Sequence, residues 1–586
     1  MRPLHLVWIL AAALCCGCSS NQNSTDDAAA GFDATLTWDV WSKSMLQGKF
    51  NKELPPIPSS GWTQKSDHSW KRDGAEIADR NSDGFIDYLR IVDPPFSYNH
   101  HIWVDSNFDG YFNDDVGLKN ENSLAIPDFA LARQGKGAKL AQKPNVIIIF
   151  IDDQGYQDLG VYGSPNIKTP HIDKMAKEGM RFTDFYSASP VCTPSRAALL
   201  TGCYPQRVGG LNVLFPDDTQ GLSSDETTIA EMLKANGYAT ACIGKWHLGH
   251  HQEFLPTQHG FDSYFGIPYS NDMSIAKDMK LSADLILREG VTTDSIWEAK
   301  KNWVPLMRNE EVIEYPANQN TLSKRYTEEA LKFINQNHDQ PFFLYLPHTM
   351  PHIPLYASAD FEGKSELGLY GDCIEEIDWS VGQIMQTLKK LKLEEKTIVF
   401  YTSDNGPWDL KGNATDKVKG NKNRRIGGSA LPLRGFKFQA WEGGMRVPAL
   451  AWWPGQIPAN TTCVEVAGTI DILPTLATLS AGASLPELEI DGKSIAPLLL
   501  GFDNATSPHA AYFYRDEAVR VGPWKGRIHP KSKEFELYNL RDDIAESKNL
   551  AADHPERAKS MLQLLKAHCK EMEQNQRPCG EVEVAK

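Results

Sequence analysis

Residues Asn145 to Asp153 read NVIIIFIDD, and this stretch decides the fold. Six consecutive apolar residues, mostly β-branched, leave no polar face, so the run predicts a strand buried on both sides. Comparable runs recur at 239–243 (ATACI), 342–346 (FFLYL) and 397–402 (TIVFYT), with helical patterns between them over 169–180, 225–236 and 321–336. Strands alternating with helices predict an α/β fold: a large mixed, mostly parallel sheet sandwiched by helices. This main domain runs over 144–462. Beyond it, 465–500 reads as helical and loop-rich, 511–540 as short antiparallel strands and 553–572 as a terminal helix. Together they predict a small C-terminal α+β subdomain over 463–586.

Upstream the texture differs. Residues 33–130 read as an extra N-terminal unit rich in Trp, Asp and Asn, joined through a Gly/Lys linker at 131–143. The unit contains two D-x-N-x-D-G-x-x-[DN] segments: Asp79, Asn81, Asp83 and Asp87, then Asp105, Asn107, Asp109 and Asn113. Oxygen side chains at alternate positions around a turn-forming glycine suit calcium, although Arg90 and Val116 stand where a full EF-hand supplies its twelfth-place Glu. The plain alternative is a pair of solvated turns. The first residues form a separate object. Arg2 followed by the apolar stretch 4–14 reads as a secretory signal, too short to span a bilayer as a mature helix. Cys15, Cys16, Gly17 and Cys18 follow, and the pattern before Cys18 resembles a bacterial lipoprotein box, with Cys15 where that box has Leu. Residues 1–18 are therefore expected to direct export, with Cys18 lipidated, and 19–32 to form a flexible leader. The expected location is the bacterial periplasm or outer-membrane surface, or the medium, with membrane contact only through the lipid.

Composition narrows the function. At roughly 100–200 residues per domain, 586 residues predict several domains. Sixty basic against seventy-five acidic residues give a net charge of −15, which argues against nucleic acid as a partner. Beyond the leader, Cys192, Cys203, Cys242, Cys373, Cys463, Cys569 and Cys579 show neither a CxxC metal pair nor the dense spacing of a disulfide scaffold. Export permits bridges, and Cys569 with Cys579 is the nearest pair.

Ligand sites in an open parallel sheet form beyond the carboxyl ends of its strands. There the four apolar runs deliver Asp152 and Asp153, Lys245 and His247, His348 and His352, and Asp404 and Asn405. Each alone reads as a loop residue; four strand ends converging on one edge read as a site. Asp152, Asp153, Asp404 and Asn405 offer oxygen, which selects calcium or magnesium over zinc. Three carboxylates around a divalent ion leave a net charge near −1. An anionic substrate would then require further cations, for which Arg196, Lys245 and Lys437 are candidates. Cys192 lies in SPVCTPSRAALLTG (189–202), where Thr193 is expected to cap a helix with Pro194 in its first turn. The thiol would sit at a helix N-terminus, either as a structural cysteine or as a nucleophile activated by that end and by Arg196.

The segment CTPSR at 192–196, with LLTG after it, resembles the C-x-P-x-R signature of the formylglycine-dependent sulfatases, arylsulfatase A-like members of the alkaline phosphatase superfamily. GKWHLG (244–249) resembles their second signature. IDDQGYQDLG (151–160) and TSDNG (402–406) resemble the metal segments, LRGFKFQAWEGGMRVP (433–448) the substrate-lysine segment, and FDSYFGIPYSND (261–272) the arylsulfatase A branch. The resemblance covers about 144–545; His171 stands where relatives usually have Asn, a departure expected to touch packing.

It implies an alkaline-phosphatase-like fold and a sulfuric ester hydrolase acting on a sulfate-ester substrate, such as a sulfated glycan or glycolipid. It also implies that a separate maturation enzyme oxidises Cys192 to formylglycine. One calcium is implied on Asp152, Asp153, Asp404, Asn405 and residue 192. Arg196 would hold the hydrated aldehyde, Lys245 and Lys437 would neutralise sulfate oxygens, and His247 would take a proton from the second hydroxyl. His352 or Lys437 would assist the leaving alcohol, and Asp404 would accept a proton from the attacking hydroxyl. His352 is the better match to the substrate histidine, with His348 a second candidate. Two other readings share these features: a phosphomonoesterase or phosphodiesterase of the same superfamily, and a non-catalytic surface protein binding sulfated polysaccharide.

Overall fold

The computed structural model describes residues 143–408, 427–502 and 505–582, together with five strands between residues 63 and 103. The chain separates into two units, Met1–Glu121 and Asn122–Lys586. In the first, strands Thr63–Ser66, Ser69–Arg72, Ala75–Ala78, Tyr88–Ile91 and His100–Trp103 pair antiparallel in consecutive order. Both acidic segments, 79–87 and 105–113, lie outside the described residues, as does Cys18.

The second unit is built on an eleven-stranded sheet. Its strands in chain order are β1 (Asn145–Ile151), β2 (Met180–Phe182), β3 (Ala239–Ile243), β4 (Ser263–Gly266), β5 (Leu281–Leu287), β6 (Leu306–Arg308), β7 (Glu311–Tyr315), β8 (Phe342–Pro347), β9 (Thr397–Ser403), β10 (Ala449–Trp452) and β11 (Thr461–Cys463). Their order across the sheet is β5-β7-β6-β4-β3-β8-β1-β9-β10-β2-β11. The central five, β4, β3, β8, β1 and β9, are parallel, and β6 and β10 join that block antiparallel. Every residue of β1, β8 and β9 is buried, as the unbroken apolar runs require. The register sets Ile151 opposite Ser403 and Phe150 opposite Pro347, so these strands end level along one edge.

Two groups of helices cover the faces. Helices α1 (Pro170–Glu178), α4 (Leu322–Gln336) and α5 (Leu369–Lys390) pack together, as do α2 (Cys192–Thr201), α3 (Ile229–Ala235) and α6 (Ile472–Leu479). His171 takes a packing position: its backbone N–H donates to Asp378 on α5, and its ring lies so close to Gly382 that a Cβ there would stand 2.7 Å from it.

The C-terminal portion contains the expected antiparallel sheet, Tyr512–Tyr514, Ala518–Val521, Trp524–Ile528 and Phe535–Asn539, backed by helix α7 (Pro555–Gln574). Residues 461–463 pair into the large sheet, and α6 packs on α2. Cys569 and Cys579, the nearest pair in sequence, are not bridged to each other.

Glu442 ties this portion to Tyr186 and Arg446, which flank the main sheet. It is fully buried, and its carboxylate accepts from Tyr186 and Tyr514 (2.7 Å each), Lys525 (3.0 Å) and Arg446 (3.3 Å). Burial would raise its pKa, but Lys525, then Arg446 and Arg520, draw it down to about 2. A depressed carboxyl contributes stability that is present above its unfolded pKa of about 4.5 and is lost as pH falls toward 2. Glu442→Gln, which strands buried cations, is expected to cost about 3–5 kcal/mol. Urea unfolding at pH 7 checks this; an unchanged midpoint would show the network to be energetically neutral.

Candidate active site

The parallel register places the expected residues on one edge and buries them: Asp152, Asp153, Asp404, Asn405, Arg196, Lys245, His247, His352, Lys437 and Cys192 are all under 5% exposed. Two neighbouring residues at a strand end would normally face opposite sides. Asp153 avoids this by adopting φ +66°, a left-handed conformation uncommon outside glycine, so both carboxylates enter the cluster.

After β3 the chain passes between its neighbours, with Lys245 N–H on Pro347 O (2.8 Å), Trp246 N–H on Ile267 O (3.0 Å) and His247 N–H on Pro268 O (3.1 Å). Alternation then sends Trp246 into the core, its Nε1 donating to Phe254 O, and Lys245 toward Asp152. Gly244 is required here, because a Cβ would stand 1.9 Å from Pro347 O.

Helix α2 starts at Cys192 itself, preceded by extended Val191. The expectation that Thr193 caps it is corrected: Thr193 lies within the first turn, where its Oγ1 accepts from Leu214 N–H at 3.3 Å. Arg196 stands one turn beyond Cys192, on the same helix face. Its Nη2 donates to Asp404 Oδ2 at 2.7 Å and lies 3.5 Å from Asp152 Oδ1, and its Nη1 reaches Lys245 O at 3.0 Å. Lys245 Nζ donates to Asp152 Oδ2 at 2.5 Å and to Ser270 Oγ at 2.8 Å. Lys437 Nζ lies 2.7 Å from Asp153 Oδ1 and 3.4 Å from Cys192 Sγ, whose thiol is 3.4 Å from Asp152 Oδ1.

Burial would raise Asp152, but Lys245, with His352 and Arg196 behind it, holds it well below the usual carboxylate range. Burial raises Asp153 against the pull of Lys437, and burial with the Asp152 charge lifts Asp404 to about 7. Two of the three carboxyls are thus pushed toward their protonated forms. Asn405 Nδ2 donates to Asp153 Oδ1 at 2.7 Å, while its Oδ1 is buried with no hydrogen-bond partner. Crowded carboxylates and an orphaned amide oxygen fit a hard divalent cation. The three carboxylates are matched by three cations, so a divalent ion would leave the cluster with two positive charges, a setting for an anion. Burial, then Asp152, pushes the Cys192 thiol up, which makes the unmodified thiol a poor nucleophile.

His247 Nε2 lies 2.9 Å from Leu214 O, which can only accept, so this nitrogen carries the hydrogen. Burial and Lys245 lower the ring well below its usual range, and the buried Nδ1 holds a lone pair with no partner. His352 Nδ1 faces two acceptors, Asn271 Oδ1 at 3.0 Å and Ile353 O at 2.7 Å. Its Nε2 therefore turns to Ser270 Oγ at 3.3 Å and Asp153 Oδ2 at 3.8 Å. Burial and Lys437 keep this ring neutral as well.

His348 is not part of the cluster, a correction to its expected substrate-binding role. Its backbone N–H donates to Phe150 O, and its ring lies against Tyr326 and 3.5 Å from Ser380 Oγ in the helix layer. Ser270 and Asn271 are the site residues that the reading of strand ends missed. They follow β4, another parallel strand, so the same rule applied to YFGIPY would have found them. Asn271→Ala is expected to lower kcat/KM by about 10–100-fold by freeing His352; an unchanged value would show that the ring needs no such support.

A family model described as Sulfatase matches residues 144–483. The chain is 38% identical to human (Homo sapiens) arylsulfatase A over 485 residues, covering 76% of this chain and 92% of that one. It is 36% identical to N-acetylgalactosamine-6-sulfatase of the dog (Canis lupus familiaris) over 450 residues, covering 72% and 78%. Among solved structures, Ps i-CgsB in complex with k-i-k-neocarrahexaose superposes with a TM-score of 0.62 at 29% identity, covering 75% of this chain and 94% of the other.

Proposed function

This chain belongs to the sulfatase family of sulfuric ester hydrolases, and from that membership we propose that it hydrolyses a sulfate monoester of a glycan, using formylglycine made from Cys192 beside one calcium ion. The observation that carries the reading is the position of Cys192, whose Sγ stands 3.4 Å from both Asp152 Oδ1 and Lys437 Nζ at the head of a buried helix. A glycan is supported by the sugar-directed relatives, N-acetylgalactosamine-6-sulfatase and the structure holding a neocarrahexaose.

Formylglycine at 192, as its hydrate, would supply one hydroxyl toward sulfur and a second for release of sulfate. Calcium, held by Asp152, Asp153, Asp404 and Asn405, would supply positive charge for the sulfate oxygens. The remaining work falls to the side chains. Lys245 and Lys437 place ammonium groups on the Asp152 and Asp153 sides of residue 192, where charge builds on the transferring group. Arg196 fixes Asp404 through its 2.7 Å bond and so keeps that carboxylate turned inward. His247 accepts a proton at Nδ1, the nitrogen its Leu214 bond leaves free. His352, oriented by Asn271, turns Nε2 toward Asp153 Oδ2, which Lys437 also holds, and the two would assist the departing alcohol. The leader at 1–18 supports export, with Cys18 as a lipid anchor and a formylglycine-generating enzyme as a partner during maturation.

Parallel assays on nitrophenyl sulfate and nitrophenyl phosphate test the reading. Sulfate turnover at least about 100-fold above phosphate turnover is expected, because the cluster is built for one ion and a monoanionic ester. Hydrolysis of the phosphate alone would replace this reading with a phosphoesterase.

A further inference from the structure

Three residues past His247 the chain brings together a second set of metal-binding side chains. His250, His251 and Asp278 place one ligand atom each within 4.8 Å of the others. His251 Nδ1 lies 2.6 Å from Asp278 Oδ2, and His250 Nε2 lies 3.3 Å from Asp278 Oδ1. The second approach brings a buried ring nitrogen, on a residue only 5% exposed, to the carboxylate, and the His250 hydrogen bond lowers Asp278 below the usual carboxylate range. The imidazoles face one another with centroids 4.2 Å apart and planes inclined by 31°. Two imidazolium rings at that spacing would repel, and burial with His250 lowers His251, which favours its neutral form. An imidazole whose Asp278-facing nitrogen is unprotonated presents a lone pair to the carboxylate, and a cation between the two satisfies both.

We propose that His250, His251 and Asp278 form a zinc-type transition-metal site, distinct from the carboxylate cluster. Two imidazole nitrogens and one carboxylate oxygen are the donor set that suits zinc, whereas calcium takes six or more oxygens. Three protein ligands leave a fourth position for water, and the Asp278 side chain, 44% exposed, opens that position to solvent. In a tetrahedral site with bonds of about 2.0–2.1 Å, ligand atoms stand about 3.3 Å apart, so the 2.6 Å His251–Asp278 contact must widen by about 0.7 Å while the three ligand atoms, now within 4.8 Å of one another, settle to that spacing. The site has a structural consequence. His250 and His251 continue the turn that carries Lys245 and His247. Asp278 continues the segment that carries Ser270 and Asn271, the partners of Lys245 and His352. A metal here clips together the two segments that orient three polar residues of the active site.

The test uses the full chain, zinc alone as probe, and Asp278→Asn and His251→Gln, both at partly exposed positions where folding is least at risk. After dialysis against limiting zinc, wild type is expected to retain one zinc per chain by elemental analysis and to gain several degrees in melting temperature. Both variants are expected to lose that zinc and that shift. Asp404→Ala, which damages only the carboxylate cluster, is expected to retain both. Zinc retained equally by wild type and by Asp278→Asn would place the ion elsewhere and overturn the proposal. Wild type binding zinc more weakly than about 0.1 mM would reduce the triad to a histidine–carboxylate pair and overturn it as well.

Discussion

Cys192→Ala is expected to lower steady-state sulfate-ester turnover by about 10⁴-fold or more while leaving the protein folded. The side chain is buried but short. Deleting Sγ removes its contacts with Asp152 and Lys437 and opens a cavity smaller than a methyl group, a cost of about 1 kcal/mol. Cys192→Ser separates attack from release. Its single hydroxyl can attack sulfur, but no second hydroxyl remains to expel the sulfate. In a host whose maturation system acts only on cysteine, it is expected to give at most one equivalent of alcohol and then stop. Mass analysis completes the set. The matured peptide carrying residue 192 is expected to be lighter than the cysteine form by about 18 Da, the change from –CH2SH to –CHO. Near-normal steady-state activity in the alanine variant, or a fully active preparation with unmodified Cys192, would assign the nucleophile to another group.

Removal of the divalent ion is expected to cost about 10³-fold or more in rate, because the positive charge facing the sulfate oxygens is worth several kcal/mol in the transition state. Stability should fall with it. Without a cation, Asp152, Asp153 and Asp404 crowd one buried volume, which is why burial and Asp152 lift the Asp404 carboxyl to about 7. Calcium added to chelated enzyme at about 100 times its dissociation constant should return about 2.7 kcal/mol, read as a rise of a few degrees in melting temperature. Asp404→Ala is expected to lose calcium by elemental analysis, to lose the thermal response to calcium, and to lose activity with them. It also deprives the buried Arg196 of its 2.7 Å partner, so its ion-free form should melt below ion-free wild type. A variant that kept both calcium and rate would move the ion away from β9.

The core strands were legible because burial on both faces writes itself into composition. NVIIIFI at 145–151, ATACI at 239–243, and the runs at 342 and 397 appear as strands within a residue of the expected limits. The same runs located most of the site, since parallel strands must all discharge their next residues at one edge. Less legible were β2 and β11, three residues each, and β10, four residues, because a strand that short carries no period of its own. The start of α2 was misread because Thr193 has the chemistry of a cap, whereas the extended backbone of Val191 sets the helix boundary two residues earlier.

Sequence alone determined four core strands of the sheet, the strand-end carboxylates and the cysteine beside Arg196, because hydrophobic runs and short-range spacing are properties of neighbouring residues. Only the tertiary structure decided that His352 enters the cluster while His348 turns to the helix layer, since both lie in one eight-residue segment with similar surroundings in the chain. It also decided that Asn405 keeps an unpaired oxygen beside Asp153, and that His250 and His251 meet Asp278 from 28 and 27 residues away. The direction of a side chain and the pairing of its last polar atom are set by whichever distant elements pack around it, and that information is spread over the whole fold.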